Sequence, residues 1–426
     1  MQIIRWILLI LLILQIIALP FWPRTARLIF RKRPKRKIWN LLIDGSSYSV
    51  LLTLLLLPML TLSLKIARAD VGKTLESREF VIQYVEPPMW DIRGQIHVHC
   101  YLSHDSDGTL EEITEAAKKN GVRWIILTDH IGQLPQPTSG VGSPTSSVGA
   151  GNYPDEVNGV LLIYGCERNN DEGTSVFRAS LKDPKETLHL HGHVESFSAS
   201  ADSKWFYQKE DTDPIIHWDA LEMVNFHANI LDNKLGALGS LIFYPESLYN
   251  NITGLIPKNF DYWQKLAKRE GRPIPIFGAP DAHQNQKYLG VQADPYELTL
   301  GLISTHIWLK NGQELNQKSI FEAIKSGHTY IAFDYLGDPT GFTFYAEKMN
   351  GDRCMTGEAM LTPKYLSVWA PESNTGVTTK FYCNNILVGE IPGSMTYMPK
   401  PDPGFWRVEL WKRGRPWIIS GQILVK

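Results

Sequence analysis

Residues 93–130, RGQIHVHCYLSHDSDGTLEEITEAAKKNGVRWIILTDH, decide the fold of this chain. The apolar run from Ile96 to Cys100 predicts a strand, and the run from Val122 to Leu127 predicts a second one. Between them, Thr109 and the acidic Glu112 three residues later form the pattern that starts a helix. A strand, a helix and a strand in this order predict a βαβ unit, in which functional residues gather at the carboxyl ends of parallel strands.

Histidines and acids follow these strands and later ones. His97 and His99 are two residues apart, and alternate side chains of a strand share a face, so we expect both imidazoles to meet at one point. Three later apolar runs end in similar groups, which are Thr128-Asp129-His130, Gly165-Cys166-Glu167 and Pro280-Asp281-Ala282-His283. All 12 histidines lie between His97 and His328, and this distribution favours a metal site over scattered surface residues.

The ordered motifs resemble those of the polymerase-and-histidinol-phosphatase (PHP) superfamily of metallohydrolases, over roughly residues 90–426. Three segments are similar to its CehA/McbA-like branch, namely His191-Gly192-His193, Leu221-Glu222-Met223-Val224-Asn225 and Trp417-Ile418-Ile419-Ser420. The resemblance implies an α/β fold with a distorted (β/α)7 barrel, and two or three divalent metal ions (Zn, Mn or Fe) at the strand ends. A hydroxide held between the metals would be the nucleophile, and no catalytic side chain beyond it is assigned.

The resemblance also implies a set of metal ligands. These are His97, His99, His104, His130, Glu167, His193, Asp281 and His283, with Glu167 bridging two metals.

Three positions in this set leave alternatives. Asp105 competes with His104, because both lie in the segment that follows the first histidine pair. His189 and His191 compete with His193. The family's His-Pro segment is missing before the strand with Glu222 and Asn225. Either His217 or His227 replaces it, or the site holds two metals.

Glu222 and Asn225 themselves are expected to hold loops together. His306 and His328 lie in no motif and are expected to be surface or core residues.

The chemistry of clustered divalent metals predicts a hydrolase for a small anionic substrate. A phosphoester is the first expectation, because such metals match phosphoryl charge. The CehA/McbA-like motifs raise a second one, a carbamate, ester or amide. A degenerate domain that serves as a binding scaffold is the third. The net charge of −1 argues against general nucleic-acid binding.

The first 70 residues predict a transmembrane hairpin. Trp6 to Trp22 and Gly45 to Leu64 carry no charge, and about 20 apolar residues in a helix span a membrane. Residues 24–37 between them contain eight basic residues and no acid, so the positive-inside rule keeps this loop in the cytoplasm. We therefore expect the chain to be held in the membrane through residues 1–66, with the catalytic domain outside the cytoplasm.

The remaining chain is expected to form a linker and strand over residues 71–90, the metallohydrolase domain over 91–338 and a β-sandwich over 339–426. Alternating β-branched and aromatic residues predict the sandwich, which either roofs the active site or only packs on the barrel. Glycine-, serine- and proline-rich residues 132–153 predict a loop over the site, and residues 194–216 a lid. Of the four cysteines, Cys100 and Cys166 are expected to be buried on strands, whereas Cys354 and Cys383 are candidates for a disulfide.

Overall fold

The structure is a computed structural model. It describes residues 83–85, 89–130, 154–169, 175–180, 187–194, 218–227, 255, 257–288, 291–292, 294–371 and 376–426. The predicted transmembrane segments, the basic loop, the loop at 132–153 and the predicted lid apart from Val194 lie outside these residues. Across the described part of the chain, no helix has the length and apolar character that a membrane span requires.

The chain divides into two compact units. The larger consists of Leu75–Asn233, Asn251–Asn285 and Asp294–Lys426. The smaller contains, among the described residues, a hairpin of two short antiparallel strands, which are numbered in chain order below.

The predicted βαβ unit is present at the start of the described chain. It consists of β1 (Gln83–Val85), β2 (Met89–Val98), α1 (Leu110–Lys119) and β3 (Trp124–Leu127). Strand β1 is antiparallel to β2, and β2 is parallel to β3. Helix α1 begins with the predicted capping box, in which the Thr109 side chain accepts from the Glu112 N–H and the Glu112 carboxylate accepts from the Thr109 N–H. Its apolar face lies in a buried cluster with residues of β2 and β3.

The next elements extend the sheet. They are β4 (Glu156–Val157), β5 (Val160–Asn169), β6 (Ser175–Ser180), β7 (Thr187–Gly192), β8 (Ala220–Asn225), α2 (Pro257–Glu270) and β9 (Ile276–Ala279). Strand β5 extends to Asn169, because residues 165–169 pair with β6. Strand β9 begins at Ile276, directly after Pro275, since proline has no N–H to donate to a sheet.

Seven of the described strands are linked edge to edge. Strand β2 pairs with β3 and β3 with β5 in parallel, β6 is antiparallel to both β5 and β7, and β7, β8 and β9 are parallel again. A parallel bridge between Val98 and Ala282 joins the chain after β9 to the end of β2, and the His99 N–H donates to the Ala282 carbonyl at 2.9 Å. The circuit of seven strands is therefore closed at the carboxyl ends of β2 and β9, where the predicted ligands lie.

Further along the chain follow β10 (Lys287–Tyr288), β11 (Val291–Gln292), α3 (Tyr296–Thr299), β12 (Ser304–Lys310), α4 (Gln317–Lys325) and β13 (Thr329–Ala332). Strand β12 lies antiparallel to both β2 and β13. Helix α4 begins three residues before the predicted Ile320, because Asn316 caps it and forms a capping box with Ser319.

The C-terminal region is rich in strands, as predicted. They are β14 (Thr343–Glu347), β15 (Arg353–Met355), β16 (Ala359–Met360), β17 (Tyr365–Trp369), β18 (Val377–Cys383), β19 (Ile386–Pro392), β20 (Met395–Pro399), β21 (Gly404–Lys412), β22 (Arg415–Ser420) and β23 (Ile423–Val425). Strands β15, β14, β17 and β20 form a separate sheet, which shares one buried cluster with β18, β21 and β22. Strand β22 pairs with β13, so the C-terminal strands continue the large sheet.

None of the four cysteines forms a disulfide, and all four are buried. The proposed disulfide is not formed, because Cys354 lies in the four-stranded sheet on β15, whereas Cys383 ends β18 in the large sheet.

Candidate metal centre

The predicted ligands come together at the carboxyl ends of the strands. They are His97 and His99 at the end of β2, His130 after β3, Glu167 near the end of β5, His193 directly after β7, and Asp281 and His283 after β9. All of them lie within the larger unit.

His97 and His99 face the same carboxylates, although not for the reason that the strand alternation predicts. Strand β2 ends at Val98, and its register with β3 shifts between Ile96 and Val98. His97 lies in this irregularity with a φ of 68°. The Nε2 atoms of His97 and His99 are 3.0 and 3.4 Å from the same oxygen, Asp281 Oδ1. A local distortion of the strand therefore brings the two imidazoles together.

Three of these strand ends carry a strained backbone. His97, His193 and Asp281 have φ values of 68°, 49° and 49°, in the left-handed region that side chains other than glycine rarely adopt. Each such residue costs on the order of 1–3 kcal/mol, and strain of this kind persists where the surrounding structure imposes it, most often at functional sites. Three strained residues around one cluster indicate that its geometry is held in place for a function.

Glu167 has the geometry of a bridging carboxylate. Its Oε1 is 3.2 Å from His193 Nε2, and its Oε2 is 3.0 Å from His97 Nε2 and 3.4 Å from His99 Nε2. The two oxygens therefore face different imidazoles, which suits a carboxylate between two cations.

Within the described residues, four groups of side chains have ligand atoms close enough to hold a metal ion. They are His99, Asp105, His130 and His283; His97, His99 and Asp281; His97, Glu167 and His193; and His227, Asp281 and His283. Neighbouring groups share His97, His99, Asp281 or His283, so the four form one continuous cluster.

The donor atoms fit a divalent metal. Among the described residues, His99 Nε2, Glu167 Oε1 and Asp281 Oδ1 are buried without a hydrogen-bond partner. Such atoms are costly to bury, and a cation between the imidazole nitrogens and the carboxylate oxygens would satisfy them. Histidine nitrogen together with carboxylate oxygen is a ligand set of Zn, and of Fe and Mn as well.

The electrostatics of the cluster also favour a cation. Burial alone would raise the pKa of Glu167 and of Asp281, but the adjacent His97 and the other nearby histidines lower both below their ordinary values. Conversely, burial would lower the pKa of His193, but the Glu167 carboxylate beside it and the charge of Asp281 raise it to about 9. The carboxylates thus stay ionised in a buried site, where positive charge must balance them.

Glu222 and Asn225 on β8 take a larger part in the site than the sequence predicts. Glu222 Oε1 lies 2.6 Å from His97 Nδ1, and its other oxygen accepts from the His193 N–H. Asn225 Nδ2 donates to Asp281 Oδ2 at 3.2 Å. Both side chains are fully buried, so they orient three of the predicted ligands. Residues three apart on a regular strand point to opposite faces, and the register shift of β8 against β9 between Glu222 and Val224 lets both face the site, so no sequence signal could have identified them.

Two of the open positions are distinguished by the structure. None of the four groups among the described residues contains His104, whose side chain is exposed, whereas Asp105 Oδ2 lies 3.2 Å from His283 Nε2. The structure therefore puts Asp105, not His104, in the cluster. His193 also lies in it, whereas the buried His191 packs on Trp218, with its ring centroid 4.7 Å from that of the tryptophan. Burial lowers the pKa of His191 to about 4.

The remaining histidine candidates have separate outcomes. His227 lies in a group with Asp281 and His283, where it can take the place of the missing His-Pro segment, and His217 lies outside the described residues. His189 is half-buried, and its N–H donates to Asp219. His306 is a core residue that contacts Asp91 at 2.8 Å.

The middle residue of the Thr-Asp-His motif supports the site. Asp129 accepts from the Cys100 N–H at 2.6 Å and from the Cys100 thiol at 3.1 Å. Cys100 is buried, as the strand pattern predicts, and burial with the charge of Asp129 raises the pKa of its thiol. The pair therefore ties the chain after β2 to the chain after β3.

Comparisons with known proteins address the family. Residues 95–340, more than half of the chain, match the PHP domain. A two-domain protein from Bacteroides vulgatus that contains a predicted PHP-like metal-dependent phosphoesterase is 16% identical, with a TM-score of 0.40, and the match covers 81% of this chain and 99% of that one. PsfC from Pseudomonas syringae is 13% identical, with a TM-score of 0.34, and the match covers 57% and 91%. Comparison with curated proteins gives no match.

The family match and the buried cluster of histidines and carboxylates agree with the metal-dependent hydrolase that the motifs predict. The chain belongs to the PHP domain family.

Proposed function

We propose that this protein is a membrane-anchored hydrolase that binds two or three divalent metals at the strand ends of a distorted (β/α)7 barrel and cleaves phosphoesters. The observation that carries the proposal is the sharing of His97, His99, Asp281 and His283 between neighbouring ligand groups. Shared ligands hold metals a few ångströms apart, as a displacement at phosphorus requires.

Bound divalent metals would supply a water of lowered pKa, near 7, and positive charge opposite the developing oxyanion. The protein supplies the orientation of its ligands. His97 Nδ1 faces Glu222, which directs Nε2 towards Glu167 and Asp281. Both side chains of the first histidine pair are inaccessible to solvent.

A substrate would approach from the side of the cluster that solvent reaches. The side chains of Asp105, His130 and His193 are 30, 18 and 20% exposed, in contrast to the fully buried His97 and His99. A small anionic group fits this opening because it would meet the metals directly, and it need not pass the buried carboxylates.

A carbamate, ester or amide is the second candidate substrate. His193, Glu222 and Asn225, which belong to the motifs similar to the CehA/McbA-like branch, all line the site. The same ligand groups would stabilise the oxyanion of acyl transfer.

We further propose that residues 1–66 hold the protein in the membrane and that its catalytic part lies outside the cytoplasm; a reporter fused to the C-terminus should give an external signal.

The test is metal content followed by a substrate screen on the purified full-length protein. We expect two or three equivalents of Zn, Mn or Fe per chain by elemental mass spectrometry. The metal-loaded protein should hydrolyse p-nitrophenyl phosphate or bis-p-nitrophenyl phosphate faster than p-nitrophenyl acetate. A preference for the acetate, or for an aryl carbamate, would support the second candidate. Failure to bind metal after reconstitution would exclude the hydrolase and leave the scaffold.

A further inference from the structure

Two buried hydroxyl groups lie between the main chains of two predicted metal ligands. The Tyr296 hydroxyl donates to the His99 carbonyl at 2.6 Å, and the Ser106 hydroxyl donates to the His283 carbonyl at 2.8 Å. The two hydroxyl oxygens are 2.8 Å apart. The pair therefore connects the chain after β2, which carries His99, to the chain after β9, which carries His283, through the main-chain carbonyls of these two residues.

The tyrosine ring is held in one position. Tyr296 is 1% exposed, and a Cβ atom at Gly108 would come within 2.1 Å of its Cε2 atom and 2.2 Å of its hydroxyl. The Tyr296 N–H also donates to Gln284 Oε1 at 3.2 Å, next to His283. The ring thus requires a glycine at 108 and cannot move without moving the ligand-bearing chains.

The supports of the cluster divide into two sets. The outer group is defined as His99, Asp105, His130 and His283. Its supports are Ser106, Tyr296 and Ser103. The Ser103 hydroxyl donates to Asp105 Oδ1 at 2.7 Å and accepts from the His130 N–H.

The inner group is defined as His97, Glu167 and His193. Its supports are Glu222, which contacts His97 and the His193 main chain, and Asn225, which contacts Asp281 beside it. In the contacts described for these residues, the two sets of supports have no member in common.

We propose that Ser106 and Tyr296 form a positioning clamp that selectively sets the metal affinity of the outer group. This inference rests on the proposed function, because it takes the cluster to bind metal. The clamp fixes the backbone carbonyls of His99 and His283, two of the four outer ligands. Without it, both imidazoles would be free to move away from the position at which they bind the same metal. Groups that orient metal ligands typically change metal affinity by about 10- to 100-fold when they are removed.

The experiment compares Tyr296→Phe with the wild type. The ring is kept, so packing against Gly108 is preserved, and only the hydroxyl is lost. Metal-free full-length protein is titrated with Zn²⁺ alone by calorimetry, and metal equivalents are then counted by elemental mass spectrometry after gel filtration. We expect one equivalent to lose about 10- to 100-fold in affinity, and the others to keep theirs.

Three variants make the comparison selective. Gly108→Ala should reproduce the loss, because it displaces the ring by another route. Glu222→Gln should weaken a different equivalent, because Glu222 supports the inner group. Tyr330→Phe is the matched control, since it removes a buried hydroxyl that donates to Asp91, away from the ligand groups. Its zinc titration should match that of the wild type even if its thermal stability falls.

The proposal is overturned if Tyr296→Phe binds every equivalent as the wild type does, or if it weakens all equivalents together. Those results are distinct from a failure of the proposed function, in which the wild type itself binds no zinc.

Discussion

Glu222 Oε1 lies 2.6 Å from His97 Nδ1, and solvent reaches neither side chain. A hydrogen bond at Nδ1 decides which ring nitrogen carries the proton, and it leaves Nε2 available to a metal. Because His97 also has a left-handed backbone, this contact holds both the ring and the strained chain that carries it.

Glu222→Gln should therefore weaken metal binding without emptying the site. The amide oxygen of the glutamine can still accept from His97 Nδ1, but the side chain no longer carries a negative charge. Its NH2 group would then face the His193 N–H, so two donors would meet where the carboxylate now accepts a hydrogen bond. We expect affinity for Zn²⁺ to fall about 10- to 100-fold, measured by competition with a chelator. Glu270→Gln, on α2 beside Arg272, is the matched control. Equal zinc affinities in the two variants would contradict this role.

His97→Ala combined with Asp281→Ala should remove most of the bound metal. The two residues take part in three of the four ligand groups among the described residues, and their side chains are 3.0 Å apart. Elemental mass spectrometry of the purified full-length variant should show fewer equivalents than the wild type. Unchanged metal content in a folded variant would mean that the metal binds elsewhere.

The sequence predicts those features of the site that depend on short segments. The capping box of Thr109 and Glu112 needs only residues three apart, and its helix begins as predicted. The placement of ligands after apolar strands needs only the end of each run. His130 lies after β3 as that rule predicts, whereas Glu167 lies within β5, near its end.

Features that depend on tertiary contacts could not be predicted in this way. The bulge at His97 depends on pairing with β3 and on the bridge from Val98 to Ala282, which is formed by residues far away in the chain. The choice of Asp105 over His104 depends on which way one turn faces, and adjacent residues in a loop carry no periodic signal. Glu222 reaches His97 across 125 positions of sequence, a contact that only the closed circuit of strands creates.

Gly94→Ala should destabilise the fold at the start of this circuit. Gly94 on β2 pairs with Trp124 on β3, and a Cβ atom at Gly94 would lie 1.8 Å from Cε2 of the indole ring. Trp124 is fully buried, so the ring has no free space to enter. Overpacking of this kind typically costs about 1–3 kcal/mol. Gly159→Ala is the comparison, because no atom lies within 4 Å of its new Cβ, and only its φ of 79° opposes the change. A smaller loss of thermal stability at Gly94 than at Gly159 would refute the packing argument.

His306 should make stability depend on pH through a buried network away from the metal centre. Its Nδ1 is 2.8 Å from Asp91 Oδ1 and 2.8 Å from the Tyr330 hydroxyl, and its Nε2 is 3.8 Å from Asp334 Oδ1. Asp334 in turn pairs with Arg93 at 2.8 Å. Burial alone would lower the pKa of His306, but the charge of Asp91 and the nearby Asp334 carboxylate raise it to about 9.

The direction of the effect follows from this raised pKa. The folded protein keeps a proton on His306 more tightly than the unfolded chain does, whose histidine has its ordinary pKa of about 6.5. The stabilisation is therefore complete below about pH 6.5 and is lost as the pH rises towards 9, with a slope of up to roughly 1.4 kcal/mol per pH unit. The thermal midpoint of the metal-free wild type should fall over this range, and that of His306→Gln should fall less. His328→Gln, at a half-buried histidine 3.4 Å from Glu358, is the control that should keep the wild-type slope. Parallel pH profiles for the wild type and His306→Gln would show that His306 is neutral in the folded protein, with Asp91 held by Tyr330 and the Gly341 N–H alone.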